Sequence, residues 1–495
     1  MKEIISGSGT YLLVPVWCGQ KEVDAIISID AADSYFLRLT LMPEQSARPD
    51  YYAGILVSQG EHTASVQTEE AVPAGYFSFF SFSESIPKCE AKTGSRPRIH
   101  FTANAGWIND PNGMVFHNGT YHLYFQCNPF NNQWQNMSWG HAVSTDLLHW
   151  QQQDTVLYPD ETASIYSGSG IENKRGELSL PKDALLFFYT YATKNKDGET
   201  KRRFTQKLAY STDGGKTLVK KQGTFIDTIC AENRDPKVFY HEASSAYICL
   251  LWLEGNTYAI LRSKDLTSWE ETQRVTFAPA WECPDLFVLP CPATGEKKWV
   301  FWSADGYYLL GSFDGRTFHA EQEMKHAYAT NLPYAAQTFS GTGKDTISIA
   351  WLRTKDEGMP YRGAMSLPRL FSLIKKNDGY CIAHNPVPQY EKVKRLVETY
   401  TSPCSIPLPD FPVELELLFD EACDGSFKLG AEKLPFNVTG ERCLHIVLDG
   451  TIMEVTTGDH TAIAYIECAP APRKITLSCA QDYAVNVYSV DSVGG

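Results

Sequence analysis

Four short runs decide the fold: Ser144-Thr145-Asp146, Ser211-Thr212-Asp213, Ser263-Lys264-Asp265 and Ser312-Phe313-Asp314. Three of them carry an aromatic residue four positions after the aspartate, Trp150, Trp269 and Phe318. The serines are 67, 52 and 49 residues apart. A period near fifty in a chain of short strands is the signature of propeller blades, each a four-stranded sheet around a central channel. Thr354-Lys355-Asp356 is a candidate degenerate fifth copy. Five blades between about residue 100 and residue 375 leave roughly 55 residues each, enough for four strands and their turns.

The surrounding sequence agrees with an all-β class. Runs such as Leu185-Leu186-Phe187-Phe188-Tyr189-Thr190-Tyr191 alternate with Gly/Asn/Asp turns, and long helical periodicity is nearly absent. Ahead of the repeat, Ala25-Ile26-Ile27-Ser28-Ile29 and Tyr76-Phe77-Ser78-Phe79-Phe80-Ser81-Phe82 read as strands of an extra small N-terminal β domain over residues 1–95. The polar stretch Glu84 to Arg98, with Pro87 and Pro97, suits a linker. A five-bladed β-propeller is expected over 96–385. Beyond Pro386 and Pro388, runs such as Glu414-Leu415-Glu416-Leu417-Leu418-Phe419 suggest a C-terminal β-sandwich over 395–495.

Composition narrows the partners. The 495 residues include 44 Lys+Arg against 58 Asp+Glu, a formal net charge of −14, which repels phosphate backbones and anionic lipid. Nucleic acid and membrane surface are therefore not expected as partners, and the longest apolar runs fall well short of the roughly 20 residues of a spanning helix. The opening Met1-Lys2-Glu3-Ile4-Ile5-Ser6-Gly7 lacks the pattern of a secretory signal, so a cytoplasmic location is expected. In that compartment the sequons at Asn118, Asn136 and Asn437 carry no glycan. Thirteen scattered cysteines without a C-x-x-C pair indicate buried thiols, with neither a disulfide framework nor a zinc site. Homo-oligomerisation through the accessory domains is left open.

Three motifs place a carboxylate beside or near a proline: Asn109-Asp110-Pro111-Asn112-Gly113, Arg234-Asp235-Pro236 and Glu282-Cys283-Pro284. Taken singly, each reads as turn chemistry. Their offsets to the following Ser-x-Asp, 34, 28 and 30 residues, put all three at one place in their blades. If that place is the innermost strand, Asp110, Asp235 and Glu282 converge on the axial channel. Converging carboxylates are what glycoside hydrolysis needs, one ionised and one kept protonated, and mutual repulsion drives their pKa values apart. Of the nearby tryptophans, most read as core, with Trp107 or Trp281 as a sugar-stacking wall. His141 reads as a core histidine, and Lys201-Arg202-Arg203 as a solvated face.

The runs Trp107-Ile108-Asn109-Asp110-Pro111-Asn112-Gly113, Tyr121-His122-Leu123-Tyr124-Phe125-Gln126, Trp139-Gly140-His141-Ala142-Val143-Ser144, Arg234-Asp235-Pro236-Lys237, Trp281-Glu282-Cys283-Pro284-Asp285-Leu286-Phe287 and Arg362-Gly363-Ala364-Met365-Ser366-Leu367-Pro368-Arg369 resemble glycoside hydrolase family 32 in order and spacing. This family comprises the invertases, levanases and inulinases. The resemblance implies a five-bladed propeller followed by a β-sandwich. It also implies Asp110 as nucleophile, Glu282 as general acid/base and Asp235 as transition-state stabiliser with Arg234 beside it. Asn109, Gln126, Trp134, Ser167 and Trp351 resemble positions lining the fructose subsite, and no cofactor is implied.

The chain departs from the family's pattern at Tyr166, where Phe is usual, and over Ala327 to Tyr334, which lacks the acidic pattern common there. Residues 1–95 match nothing in the usual layout. The expectation is thus a retaining, exo-acting β-fructofuranosidase on fructo-oligosaccharides, fructans or sucrose. Sucrose 6-phosphate hydrolysis and fructosyl transfer are open within the same chemistry. A fructan-binding propeller without activity is the alternative of another class, and an inverting arabinan-type propeller is disfavoured by the run at 107–113.

Overall fold

The computed structural model describes residues 1–43, 48–89, 96–193, 202–355, 358–408, 412–429, 432–438, 442–468, 474–479 and 481–490. Among the described residues the strands form eight sheets, and the one α-helix is the short Pro388–Val393.

Five of the sheets are blades. Their first strands are Gly106–His117, Ala163–Glu172, Arg234–His241, Asp285–Pro290 and Pro333–Thr338, each followed by antiparallel neighbours in sequence order. The Ser-x-Asp runs fall between the third and fourth strands of the first four blades. Their chemistry explains why they recur. Ser144 Oγ accepts the backbone N–H groups of Asp146 and Leu147 at 3.1 and 2.9 Å, while Asp146 Oδ1 accepts those of Leu148 and His149 at 3.0 and 2.9 Å. Ser263 and Asp265 repeat the pattern on Leu266, Thr267 and Ser268. The indoles of Trp150 and Trp269 then donate to the carbonyls of Leu147 and Leu266, which gives the aromatic four residues after the aspartate a role in two of its three copies. Side-chain oxygens thus satisfy backbone donors that the turn takes out of the ladder.

Thr354 departs from the expectation. It lies between the second and third strands of the fifth sheet, whose third-to-fourth turn is at Lys376–Gly379, and Asp356 falls outside the described residues. The fifth and first blades are tied by backbone. Strand Tyr361–Arg362 pairs parallel with Gly106 and Trp107, and Phe116 N–H donates to Ser340 O while Ser340 N–H donates to Met114 O, at 2.8 and 3.0 Å.

The N-terminal sheet contains strands Lys2–Val16, Glu22–Ile29, Asp33–Thr40, Tyr51–Gln67 and Ser81–Ser83. Of the run expected as a strand at 76–82, Tyr76–Phe79 is a 3-10 turn and only Ser81–Ser83 is strand. Gly75, at φ 81°, reverses the chain, and buried Tyr76 anchors the turn by donating to Thr40 O. The linker residues 90–95 lie outside the described residues. This sheet packs on the first blade: Phe130 joins its core, and Asn131 Nδ2 donates to Glu22 Oε1 at 2.6 Å. Asn136 uses both ends of its amide on the Arg38 backbone at 2.8 and 2.9 Å, so this sequon residue is buried and fully engaged.

After residue 393 a six-stranded and a four-stranded sheet face one another across a shared core that includes Leu415, Leu417, Phe427 and Leu477, which makes a β-sandwich. The sandwich is locked to the propeller by a fully buried polar cluster. Asp449 accepts the backbone N–H groups of Arg98, Ile99 and His100, and His100 spans Asp449 at 2.9 Å and Glu454 at 3.1 Å. Arg369 of the fifth blade also bonds Glu454.

Candidate active site

In four blades the innermost strand breaks register where a pocket residue sits. Pairing shifts between Ile108 and Pro111, between Tyr166 and Gly168, between Arg234 and Lys237, and between Tyr334 and Gln337. A bulge bends its strand and re-aims the side chain beside it. Here the bulges carry Asp110, Ser167, Asp235 and Ala335. Asp235, Glu282, Cys283 and Ala335 all have left-handed φ, 64°, 44°, 35° and 51°, although none is glycine. Such backbone costs of order 1–3 kcal/mol per residue and clusters at functional sites.

The result is one cavity of about 730 Å³, whose lining contains the three carboxylates and the seven substrate-binding candidates: Asn109, Asp110, Gln126, Trp134, Tyr166, Ser167, Arg234, Asp235, Glu282 and Trp351. Ser167 Oγ donates to Asp110 Oδ2 at 2.5 Å. Glu282 accepts from Arg234 Nε at 3.1 Å through Oε1 and from the Tyr334 hydroxyl at 2.6 Å through Oε2. The Arg234 guanidinium lies 4.0 Å over the Trp252 ring, which fixes its plane. The Cys283 thiol touches Asp110 and Asp235 at 3.7 and 3.5 Å, and its backbone N–H reaches Asp235 Oδ2 at 3.3 Å. Gln126 is held by its amide on Ile165 O at 2.9 Å, and Asn109 Oδ1 accepts the Trp107 indole at 2.8 Å.

Burial dominates the electrostatics. It raises Asp110 above the usual carboxylate range, with hydrogen bonds from Ser167 and Asn109 pulling it back. It raises Asp235 to about 7, opposed by the Arg234 charge and reinforced by the Glu282 and Asp110 carboxylates. The consequence can be measured. The unfolded group ionises near 3.8, so wild-type stability falls as pH rises from about 4 to about 7 on account of this residue. Asp235→Asn should therefore raise the melting temperature at pH 8, by on the order of a few kcal/mol of stability, with little gain near pH 4. Calorimetry across this range checks it; a gain independent of pH would contradict the origin in buried charge.

Other expectations need correction. Neither Trp107 nor Trp281 lines the cavity: Trp107 supports Asn109 from behind, and Trp281 is partly exposed and packs on Trp252. The aromatic wall is instead Trp134, Tyr166, Phe204, Tyr334 and Trp351. Arg202, read as part of a solvated face, lines the cavity and donates to the Tyr166 hydroxyl at 2.6 Å, while Lys201 is outside the described residues. The Phe-to-Tyr departure at 166 supplies the oxygen that anchors this arginine. Tyr334 was legible as the first residue of Tyr334-Ala335-Ala336-Gln337-Thr338-Phe339; Phe204 and Arg202 had no local signal. His141 is core, stacked 4.2 Å from the Tyr124 ring, and burial lowers it to about 3.

Comparison with known proteins agrees with this geometry. The description "Glycosyl hydrolases family 32 N-terminal domain" matches residues 100–386, more than half of the chain. A levanase of Bacillus subtilis is 32% identical over 60% of this chain and 48% of its own length. An invertase of Debaryomyces hansenii is 34% identical over 56% of this chain and 57% of its own. The matched segment thus spans about half the length of these relatives. A solved structure of a glycoside hydrolase family 32 protein from Bifidobacterium adolescentis superposes with a TM-score of 0.70 at 17% identity, covering 99% of each chain. Coverage of that extent takes in the N-terminal sheet, which therefore has a counterpart within the family's structures. With the matched residues carrying the blades, the bulges and all three carboxylates, the chain belongs to glycosyl hydrolase family 32.

Proposed function

We propose that the protein is a retaining, exo-acting β-fructofuranosidase that releases terminal fructosyl units from fructo-oligosaccharides, fructans or sucrose. One observation carries the reading: three carboxylates from three separate blades meet at the floor of a single cavity, each with a different set of partners. Asp110, oriented by Ser167, attacks the anomeric carbon. Glu282, oriented by Arg234 and Tyr334, protonates the leaving oxygen and then activates water for the second displacement. Asp235 steadies the oxocarbenium-like transition state through the fructose hydroxyls. Trp134, 42% exposed, stands at the rim, and Trp351 packs edge-on against Tyr334.

The names of the relatives, a levanase and an invertase, bracket the substrate between polymer and sucrose. The three carboxylates share one pocket, which we read as taking a single terminal fructose, and this favours exo action. A panel of sucrose, sucrose 6-phosphate, kestoses, inulin and levan, read by product chromatography, tests this. We expect free fructose as the main product and higher kcat/KM on short oligosaccharides than on polymer. Early mixed oligosaccharides from levan or inulin would show endo cleavage and overturn it. NMR of the first product should show retained configuration. No release of reducing sugar from any substrate would favour the binding-propeller reading.

A further inference from the structure

We infer that the C-terminal sandwich carries a binding site for a thiophilic divalent transition cation, zinc foremost, held by Cys443 Sγ, His445 Nε2 and a Glu416 carboxylate oxygen. Strand Cys443–Asp449 alternates, sending Leu444 and Ile446 into the sandwich core and Cys443 and His445 to the other face. The neighbouring strand Val413–Phe419 registers Glu416 directly opposite His445. Donor atoms of the three side chains all lie within 4.8 Å of one another. Two of them already sit at a metal-site edge length: Cys443 Sγ and His445 Nε2 are 3.5 Å apart. Bonds of about 2.3 Å to sulfur and about 2.0 Å to nitrogen at a tetrahedral angle require about 3.5 Å.

The supporting contacts are those a ligand set needs. His445 Nδ1 is 3.0 Å from Oε1 of Glu414, a buried carboxylate that Lys394 also bonds at 2.9 Å. Donation of Nδ1–H to a carboxylate leaves the lone pair on Nε2, aims the ring and raises its basicity. Asn486 and Tyr488 both donate to Glu416 Oε2, at 2.9 and 3.0 Å, so the carboxylate is braced through one oxygen while the other carries neither bond. His460 stacks on the His445 ring at 5.2 Å, its loop held by Gly458 N–H on Cys443 O at 2.9 Å, and its buried Nδ1 has no hydrogen-bond partner. His460 thus stands beside His445, outside the group of three donors. One thiolate, one imidazole and one carboxylate suit zinc, and do not suit magnesium or calcium, which take oxygen shells. None of these residues lines the propeller cavity, so the ion staples strands and takes no part in hydrolysis.

The test uses the full chain, stripped with a chelator, desalted and titrated with Co2+, then competed with Zn2+. The expected result is one equivalent bound with a thiolate-to-cobalt charge-transfer band that Zn2+ displaces. Cys443→Ser should abolish the band, and His445→Ala and Glu416→Gln should each weaken binding at least tenfold. Cys423→Ser, which removes the close thiol pair formed with Cys479 at 3.0 Å elsewhere in the sandwich, should leave it unchanged. Zn2+ should raise the melting temperature of the wild type and not of His445→Ala. Absence of the band in the wild type, its survival in Cys443→Ser, or its loss in Cys423→Ser would overturn the assignment.

Discussion

Asp110→Asn should lower kcat by several orders of magnitude on every fructoside, because it removes the covalent step, while the amide oxygen still accepts the Ser167 hydroxyl and preserves the pocket. Glu282→Gln should cost about 10²–10⁴-fold on natural substrates, the usual worth of a positioned proton donor. The two variants separate on an activated fructoside. A good leaving group needs little protonation, so Glu282→Gln should recover much of its first-step rate, whereas Asp110→Asn should not. Single-turnover kinetics reads the difference, and equal losses on the activated substrate would reject the division of labour between the two acids. Melting temperatures close to wild type for both would confirm that chemistry, and not folding, was removed.

Removing Glu454 or His100 should instead leave the chemistry in place and loosen the molecule. His100, Asp449 and Glu454 are all fully buried, and deletion of one member of such a cluster strands the other charges away from water, a loss of about 3–5 kcal/mol. Glu454→Gln and His100→Ala should each lower the melting temperature markedly. The dependence on pH follows from both groups. Burial pulls His100 down, but the Asp449 and Glu454 hydrogen bonds outweigh it and hold it at about 9. Its contribution is therefore full below about 6.5 and lost as pH rises through about 9. Burial pushes Glu454 up, but Arg369 and His100 hold it at about 2, so its contribution is present above about 4.5 and lost as pH falls towards 2. Wild-type stability from this cluster should be greatest between these limits, and calorimetry of wild type against Glu454→Gln should show the difference shrinking at either extreme. A difference that is flat with pH would show that packing, and not charge, locks the sandwich to the propeller.

The sequence by itself determined what local chemistry writes. Ser-x-Asp turns satisfy their own backbone donors within a few residues, so they are readable wherever they occur, and they mark four of the five blades. Alternating strands such as Glu22–Ile29 and Val413–Phe419 are readable for the same reason. Asp110, Asp235 and Glu282 were legible because each stands a similar distance, 34, 28 and 30 residues, ahead of one of those turns. Tertiary structure decided what depends on distant segments meeting. Bulges on the innermost strands of the first and third blades, which no composition announces, set where Asp110 and Asp235 point, and left-handed backbone just ahead of the fourth blade's first strand sets Glu282. The aromatic wall took Phe204 and Tyr334 in place of Trp107 and Trp281, because nearness in sequence to an acid does not put a side chain in the pocket: Trp107 turns onto Asn109 and Trp281 onto Trp252. Arg202 looked like solvent-facing charge until Tyr166, from the innermost strand of the same blade, gave it a partner. The buried triad of His100, Asp449 and Glu454 joins residues some 350 positions apart, and Glu416, Cys443 and His445 meet only through strand register. Spacing along the chain carries no trace of such meetings, because they are selected by packing in three dimensions and not by the geometry of adjacent peptide bonds.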